Sequence, residues 1–184
     1  MSITTDTVRF RPMTKEFRDE VAARLAAARD EYAADARKGR GGRATVQRYA
    51  DRMDGLVRTV VDAASDRTTT PFVVCAVGGY GRRALCLHSD IDLLIVFDGA
   101  IGPAEERFVN AVLQPLWDLR LVLGHHVREF AEFDPADTSN PEFLLCLLDL
   151  RLLAGDAALF QRVAAHVAQP PGPSVVLEPL LALI

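Results

Sequence analysis

Cysteine is scarce. The three in the chain, Cys75, Cys86 and Cys146, are odd in number and include no C-x-x-C pair, so neither a disulfide framework nor a cysteine-based zinc site is indicated. Long hydrophobic runs are missing too. No stretch approaches the roughly 18 uninterrupted apolar residues of a membrane span, and residues 1–13 (MSITTDTVRFRPM) lack the apolar core of a secretory signal. Basic charge is not in excess: 21 Lys+Arg stand against 25 Asp+Glu, a formal charge of −4. That balance removes the basic stripe of a nucleic-acid binder and leaves room for a local anion site. The expectation is a cytoplasmic protein with no membrane and no nucleic-acid partner.

At 184 residues, 49% hydrophobic and 25% charged, the chain has apolar side chains enough for one substantial core. Phe17, Val21, Leu25 and Tyr32 space a first amphipathic helix after a Thr14 cap, and KGRGGR (38–43) breaks it. Val46 to Ala64 repeat at three and four for a second helix, about Ala44 to Ser65. FVVCAV (72–77) and IDLLIVF (91–97) are short, β-branched, continuous apolar runs, the mark of strands buried on both faces. Pro103 opens a helix with Glu105 and Glu106 in its first turn, running toward Trp117 and Leu121, with Pro115 as a potential kink. LVLGHHVREF (121–130) predicts a third strand in which Gly124 signals a bulge or a close approach.

A cap at Asn140, Pro141 at the first helical position and leucines to Leu152 predict a helix ending at Gly155, with Asp156 capping another. Trp117 and the leucines of 143–153 are expected in the core, and Cys75 as a small buried hydrophobe. The reading divides the chain into an N-terminal helix and linker (1–43), a core (44–130), a helical extension (131–168) and a Pro-rich, apolar, poorly ordered tail (169–184).

The chemistry concentrates in Val77-Gly78-Gly79-Tyr80-Gly81-Arg82-Arg83 and the following Ser89-Asp90-Ile91-Asp92. Three glycines after a buried strand permit a tight turn whose backbone N–H groups can face an anion, with Arg82 beside it to hold phosphate or to pair with a surface acid. Ser89 either hydrogen-bonds a phosphate or caps the turn. Asp90 and Asp92, two apart at a strand start, project from one face with Cα atoms about 6–7 Å apart. Alone, such a pair is more often a cap and a solvated acid; after a glycine turn it is a site for Mg²⁺, which takes one or two carboxylates plus substrate phosphates. The combination points to nucleotidyl transfer.

Gly79-x-Gly81-x-x-Ala84 also satisfies a dinucleotide fingerprint, but the few residues before Asp90 leave no room for a helical crossover. His125 and His126, adjacent on a strand, point to opposite faces and read as structural.

AVGGYGRRALCLHSDIDLLIVF resembles the G-G-Y-G-R-x-x-L-x-x-x-S-D-[IV]-D signature of bacterial PII uridylyltransferases, the uridylyl-removing enzymes of nitrogen control. PLWDLRLVLGHHVRE (115–129) is similar to their P-L-W-D-x-x-x-x-x-G-H-x-V-R segment, and LLDLRLLAGDAALFQRV (147–163) to their L-x-x-x-R-L-L-x-G-D-x-x-L-F helices. The resemblance covers roughly residues 40–165 and implies an α/β (α+β) fold of the polymerase-β nucleotidyltransferase type: a small mixed sheet with N-terminal helices and a C-terminal helical pair. It implies that Gly78 and Gly79 bind the triphosphate of UTP, that Asp90 and Asp92 hold Mg²⁺, and that UMP passes to a tyrosine of the PII protein. Arg82 and Ser89 join the nucleotide-binding set on the physical reading above.

The chain departs from that pattern at Arg83-Ala84, where the family usually has Gly-Glu, and at Leu87, where it has Pro. The third acid of the fold has one candidate on the predicted strand, Glu129, where relatives more often carry Thr. The HD phosphohydrolase and ACT domains of full-length members do not fit after residue 165, so the chain is expected to transfer but not remove UMP and not to sense glutamine. Two further expectations stand beside this one: a catalytically silent paralogue that binds nucleotide or PII, and a nucleotidyltransferase with another acceptor.

Overall fold

The computed structural model describes residues 14–133 and 141–168. The expectations for the first thirteen residues, the Asn140 cap and the 169–184 tail lie outside them. No helix among the described residues is long and apolar enough to cross a membrane.

The N-terminal helices form as the spacing predicts. α1 (Lys15–Arg37) starts at Thr14, whose hydroxyl accepts the Phe17 N–H at 3.2 Å, and α2 spans Arg43–Ala64. Val21, Leu25 and Ala28 of α1 pack with Tyr49, Met53, Val57 and Val60 of α2 in one buried cluster. A 3-10 turn (Ser65–Arg67) leads to β1 (Phe72–Ala76), the one-turn helix α3 (Gly78–Gly81) and β2 (Ile91–Phe97). α4 (Pro103–Asp118) and β3 (Leu123–Glu129) follow, then α5 (Pro141–Leu147), β4 (Arg151–Gly155) and α6 (Ala157–Val167). The sheet order is β3-β2-β1-β4, with β1 antiparallel to both neighbours and β2 parallel to β3.

Helices cover both faces of this sheet, which explains the unbroken apolar runs of β1 and β2. Ile91, Leu93, Ile95 and Phe97 face α2 and α4, while Leu94 and Val96 join Val73, Cys75 and Val77 against α5 and α6. Cys75 is fully buried, and burial pushes its thiol up to about 12. At one end of the sheet Phe108 of α4 closes on Phe72 and Phe97, with ring centroids 4.3 and 5.8 Å away. Because β1 and β2 run antiparallel, the chain does not have the parallel β-α-β start of a dinucleotide fold.

Two expectations are corrected. The helix expected to reach Gly155 ends at Leu147, and residues 151–155 are a strand that supplies hydrogen-bond partners to the outer edge of β1. Exposed backbone on β1 outweighed the helical spacing of the leucines, so the helical pair is α5 and α6 with β4 between them. Gly155 sits at φ 106°, and a Cβ there would collide with the Phe72 carbonyl, so the glycine serves the β1–β4 seam. Asp156 then caps α6 as expected, accepting the Leu159 N–H at 2.9 Å. Trp117, assigned to the core, is 41% exposed with its ring edge-on to His125, and Leu145 and Leu148 are exposed as well.

Candidate active site

The chemistry-bearing residues meet where β1 ends and β2 and β3 begin. Val77 leaves β1 with its N–H donating to the Asp92 carbonyl at 3.1 Å, and the chain enters the single turn of α3. No side chain caps the start of that turn. Gly78 sits at φ 56°, a backbone that favours glycine, and a Cβ on it would lie 3.4 Å from Asp92 Oδ2.

Asp92 is half-buried on the face of β2 toward α5, and its partner across the β2–β3 ladder is Gly124. A Cβ at Gly124 would collide with Asp92 Oδ1. Of the two readings of Gly124, the close approach is the one realised: the register passes through without a bulge, and the missing side chain is the space the carboxylate occupies. Asp90, exposed just before β2, is near enough to matter electrostatically. Partial burial and then the charge of Asp90 raise the Asp92 carboxyl above its ordinary range. Among the described residues neither carboxylate accepts a hydrogen bond or forms an ion pair.

The glycine turn is held from behind by residues that motif reading passed over. Arg151 at the start of β4 donates Nε to the Gly81 carbonyl at 3.0 Å and Nη2 to the Tyr80 carbonyl at 3.1 Å. Its guanidinium also takes both oxygens of Asp54 on α2, at 2.5 and 3.1 Å, and lies over the Tyr80 ring. Asp54 is only 4% exposed, so the pair is a buried fork that ties α2, β4 and the turn together. Gly81 completes the contact, because a Cβ on it would run into the Asp149 carbonyl. Arg151 is the arginine of R-L-L-x-G-D, so the signal was present in the sequence, but its partner Asp54 lies 97 residues away.

The other candidates divide. Gly78 and Gly79 are the first two residues of the turn. Arg82 is engaged on the surface with Asp149, and Arg83, at φ 57°, makes a forked pair with Asp51 at 2.9 and 2.6 Å. The Ser89 hydroxyl accepts the Cys86 N–H at 3.2 Å, the turn-capping role. Glu129 is excluded as a third acid: it stands opposite Phe97, five residues along the ladder from Asp92, and accepts the Ile101 N–H at 2.6 Å. The β3 residues that share the face of Asp92 are Gly124, His126 and Arg128. His126 is held low by burial, then by Arg128 and His125, and its ring lies 3.9 Å from that of Phe143; His125 faces the other way toward Trp117, as alternation requires. Among the described residues no three His, Cys, Asp or Glu side chains converge on one point.

No protein-family model matches the chain. Individual proteins do. Over 116 residues, 63% of this chain, it is 40% identical to the bifunctional uridylyltransferase/uridylyl-removing enzyme of Methylococcus capsulatus. Over 146 residues, 75% of the chain, it is 34% identical to that of Rhodopseudomonas palustris, and over 128 residues, 65%, it is 34% identical to that of Cereibacter sphaeroides. The matched segments make up 13%, 16% and 14% of those proteins, so the chain corresponds to a small part of each. Across that shared segment the chain is homologous to the bifunctional uridylyltransferase/uridylyl-removing enzymes.

Proposed function

We propose that the chain is a Mg²⁺-dependent nucleotidyltransferase that moves UMP from UTP to a tyrosine hydroxyl of the PII nitrogen-regulatory protein. One observation carries the reading: Asp92, half-buried and with no hydrogen-bond donor or ion-pair partner on its carboxylate among the described residues, fills the space left by Gly124 beside the glycine turn. Two neighbouring carboxylates without a cationic side chain between them among the described residues suit a divalent ion, so Asp90 and Asp92 would hold Mg²⁺. The bound ion would supply charge neutralisation on the triphosphate and on the departing pyrophosphate.

The chain's own part is positioning. Backbone N–H groups of Gly78 and Gly79 take phosphate oxygens, and Arg82 exchanges its exposed pair with Asp149 for the triphosphate, at small cost because such pairs contribute about 0–1 kcal/mol. The acceptor oxygen attacks the α-phosphorus in line; its bond to the β-phosphate oxygen breaks, pyrophosphate leaves, and the hydroxyl proton passes to solvent. Arg151 and Asp54 keep the turn in register with Asp92 throughout.

A second reading, a silent nucleotide- or PII-binding paralogue, draws on the pairing of Arg82 with Asp149 and on the lack of an acid beside Asp92 on β3. Incubating the chain with PII, Mg²⁺ and α-labelled UTP separates the two. Label on PII that disappears in Asp90→Asn and Asp92→Asn supports transfer. UTP binding without label, with PII shown competent toward a full-length enzyme, supports the silent reading.

A further inference from the structure

Ile91 and Asp92 alternate across the sheet, so the residue beside Asp92 looks onto the opposite face, where a second polar pocket opens. It is bounded by α1, by the loop before β2 and by the loop between α4 and β3. Its volume is about 120 Å³, and its polar lining comes from Arg29, His88, Ser89 and Arg120 over a floor that includes Tyr49 and Leu121. Among the described residues no Asp or Glu lines it. Neither arginine nor His88 forms an ion pair among the described residues, and the buried Nε of Arg29 has no hydrogen-bond partner. Arg120 holds a left-handed backbone, φ 57°, which a residue with a Cβ adopts at a cost, and this is where its side chain reaches the pocket.

The walls are fixed independently of any ligand. The Ile91 N–H donates to the Val122 carbonyl at 2.9 Å, and the Leu121 N–H to the Leu116 carbonyl at 3.2 Å. Two guanidinium groups without an ion pair among the described residues, an imidazole and a hydroxyl over a floor that includes Tyr49 and Leu121 are donors of the kind that bind an oxyanion. The volume, about ten times the ~10–15 Å³ that a cavity needs to hold one water, admits a phosphate-sized group. We infer that this pocket binds a phosphate-class anion, free or as the terminal group of a small phosphomonoester, on the face of the sheet opposite Asp92. This site needs neither metal nor nucleotide and does not rest on the proposed transfer activity.

Calorimetric titration of the full chain with inorganic phosphate tests it, in metal-free buffer at constant ionic strength set by sodium chloride. The expected result is saturable binding that weakens at least tenfold in Arg120→Asn and in Arg29→Gln and stays within twofold of the parent in Arg82→Gln. Asparagine tolerates the left-handed backbone, so Arg120→Asn removes the charge while keeping the fold. Glycerol phosphate in a parallel titration assigns the source: binding of both ligands marks a pocket open to esters, and binding of phosphate alone marks a free-anion site. No saturable binding, or binding lost in Arg82→Gln and retained in Arg120→Asn, overturns the inference.

Discussion

The two ends of β2 each carry a carboxylate, and the surroundings treat them in opposite ways. Beyond Phe97, Glu105 of α4 is 6% exposed, yet it accepts the hydroxyls of Thr68 and Thr70 at 2.8 Å each and the Gly102 N–H at 3.1 Å. Burial alone would raise its carboxyl; these bonds outweigh burial and bring it down to about 2. At the other end the Asp92 carboxylate has no donor among the described residues and a neighbouring negative charge, and its carboxyl is raised instead. A carboxylate that serves the fold is saturated with hydrogen bonds, whereas Asp92, the carboxylate proposed to hold a cation, is not.

The largest expected effect comes from breaking the fork that supports the unsatisfied end. Arg151→Met leaves the buried Asp54 carboxylate with only the longer Arg58 contact at 3.7 Å and frees the carbonyls of Tyr80 and Gly81, so chemical denaturation should show a loss of about 3 kcal/mol, the lower end of the usual cost of removing one partner of a buried pair. A loss under about 1 kcal/mol would mean that the turn holds itself.

Gly124→Ala separates function from stability at the same end. The new methyl collides with the tip of a short side chain, not with backbone, so Asp92 turns away and the strand survives. Transfer onto PII should fall about a hundredfold, equivalent to about 2.7 kcal/mol of transition-state stabilisation, while the melting temperature changes little.

How much of this was legible in the sequence depends on the range of the interaction. The glycine turn, the α1 and α6 caps and the two central strands are local patterns, and the fold realises them. β4 was misread because its strand character comes from the open edge of β1, which no window around Leu152 contains. Trp117 was misplaced because a large apolar residue near a helix end can lie on either side of the surface. Arg151 and Gly124 were visible as motif letters, but their purposes depend on Asp54 and Asp92, which only the folded chain brings to them. Arg83 shows the same limit, since only its positive φ explains why a glycine would suit that position.

At the saturated end, Glu105→Gln should cost about 1–3 kcal/mol at pH 7, because hydroxyls and an N–H that served a charge then meet a weaker acceptor. The pH profile identifies the cause. The folded carboxyl lies below its ordinary value of 4.5, so its contribution is full above that value and drains away as pH falls toward 2. Parent and variant should therefore converge in stability across that acid window; a constant gap would point to packing.

Asp92→Asn is the smallest effect and reverses the sign. The folded Asp92 carboxyl is raised, so ionisation at neutral pH works against the folded state, and removing the charge in metal-free buffer should raise the melting temperature. A gain of about 1 kcal/mol corresponds to about 2–4 °C for a chain of this size. The gain should shrink as pH falls below the raised value, where the parent carboxyl is itself neutral, and Mg²⁺ should stabilise the parent but not the variant. If Asp92→Asn instead destabilises at pH 7, as Glu105→Gln does, then both carboxylates serve the fold, and the case for a cation at Asp92 loses its physical basis.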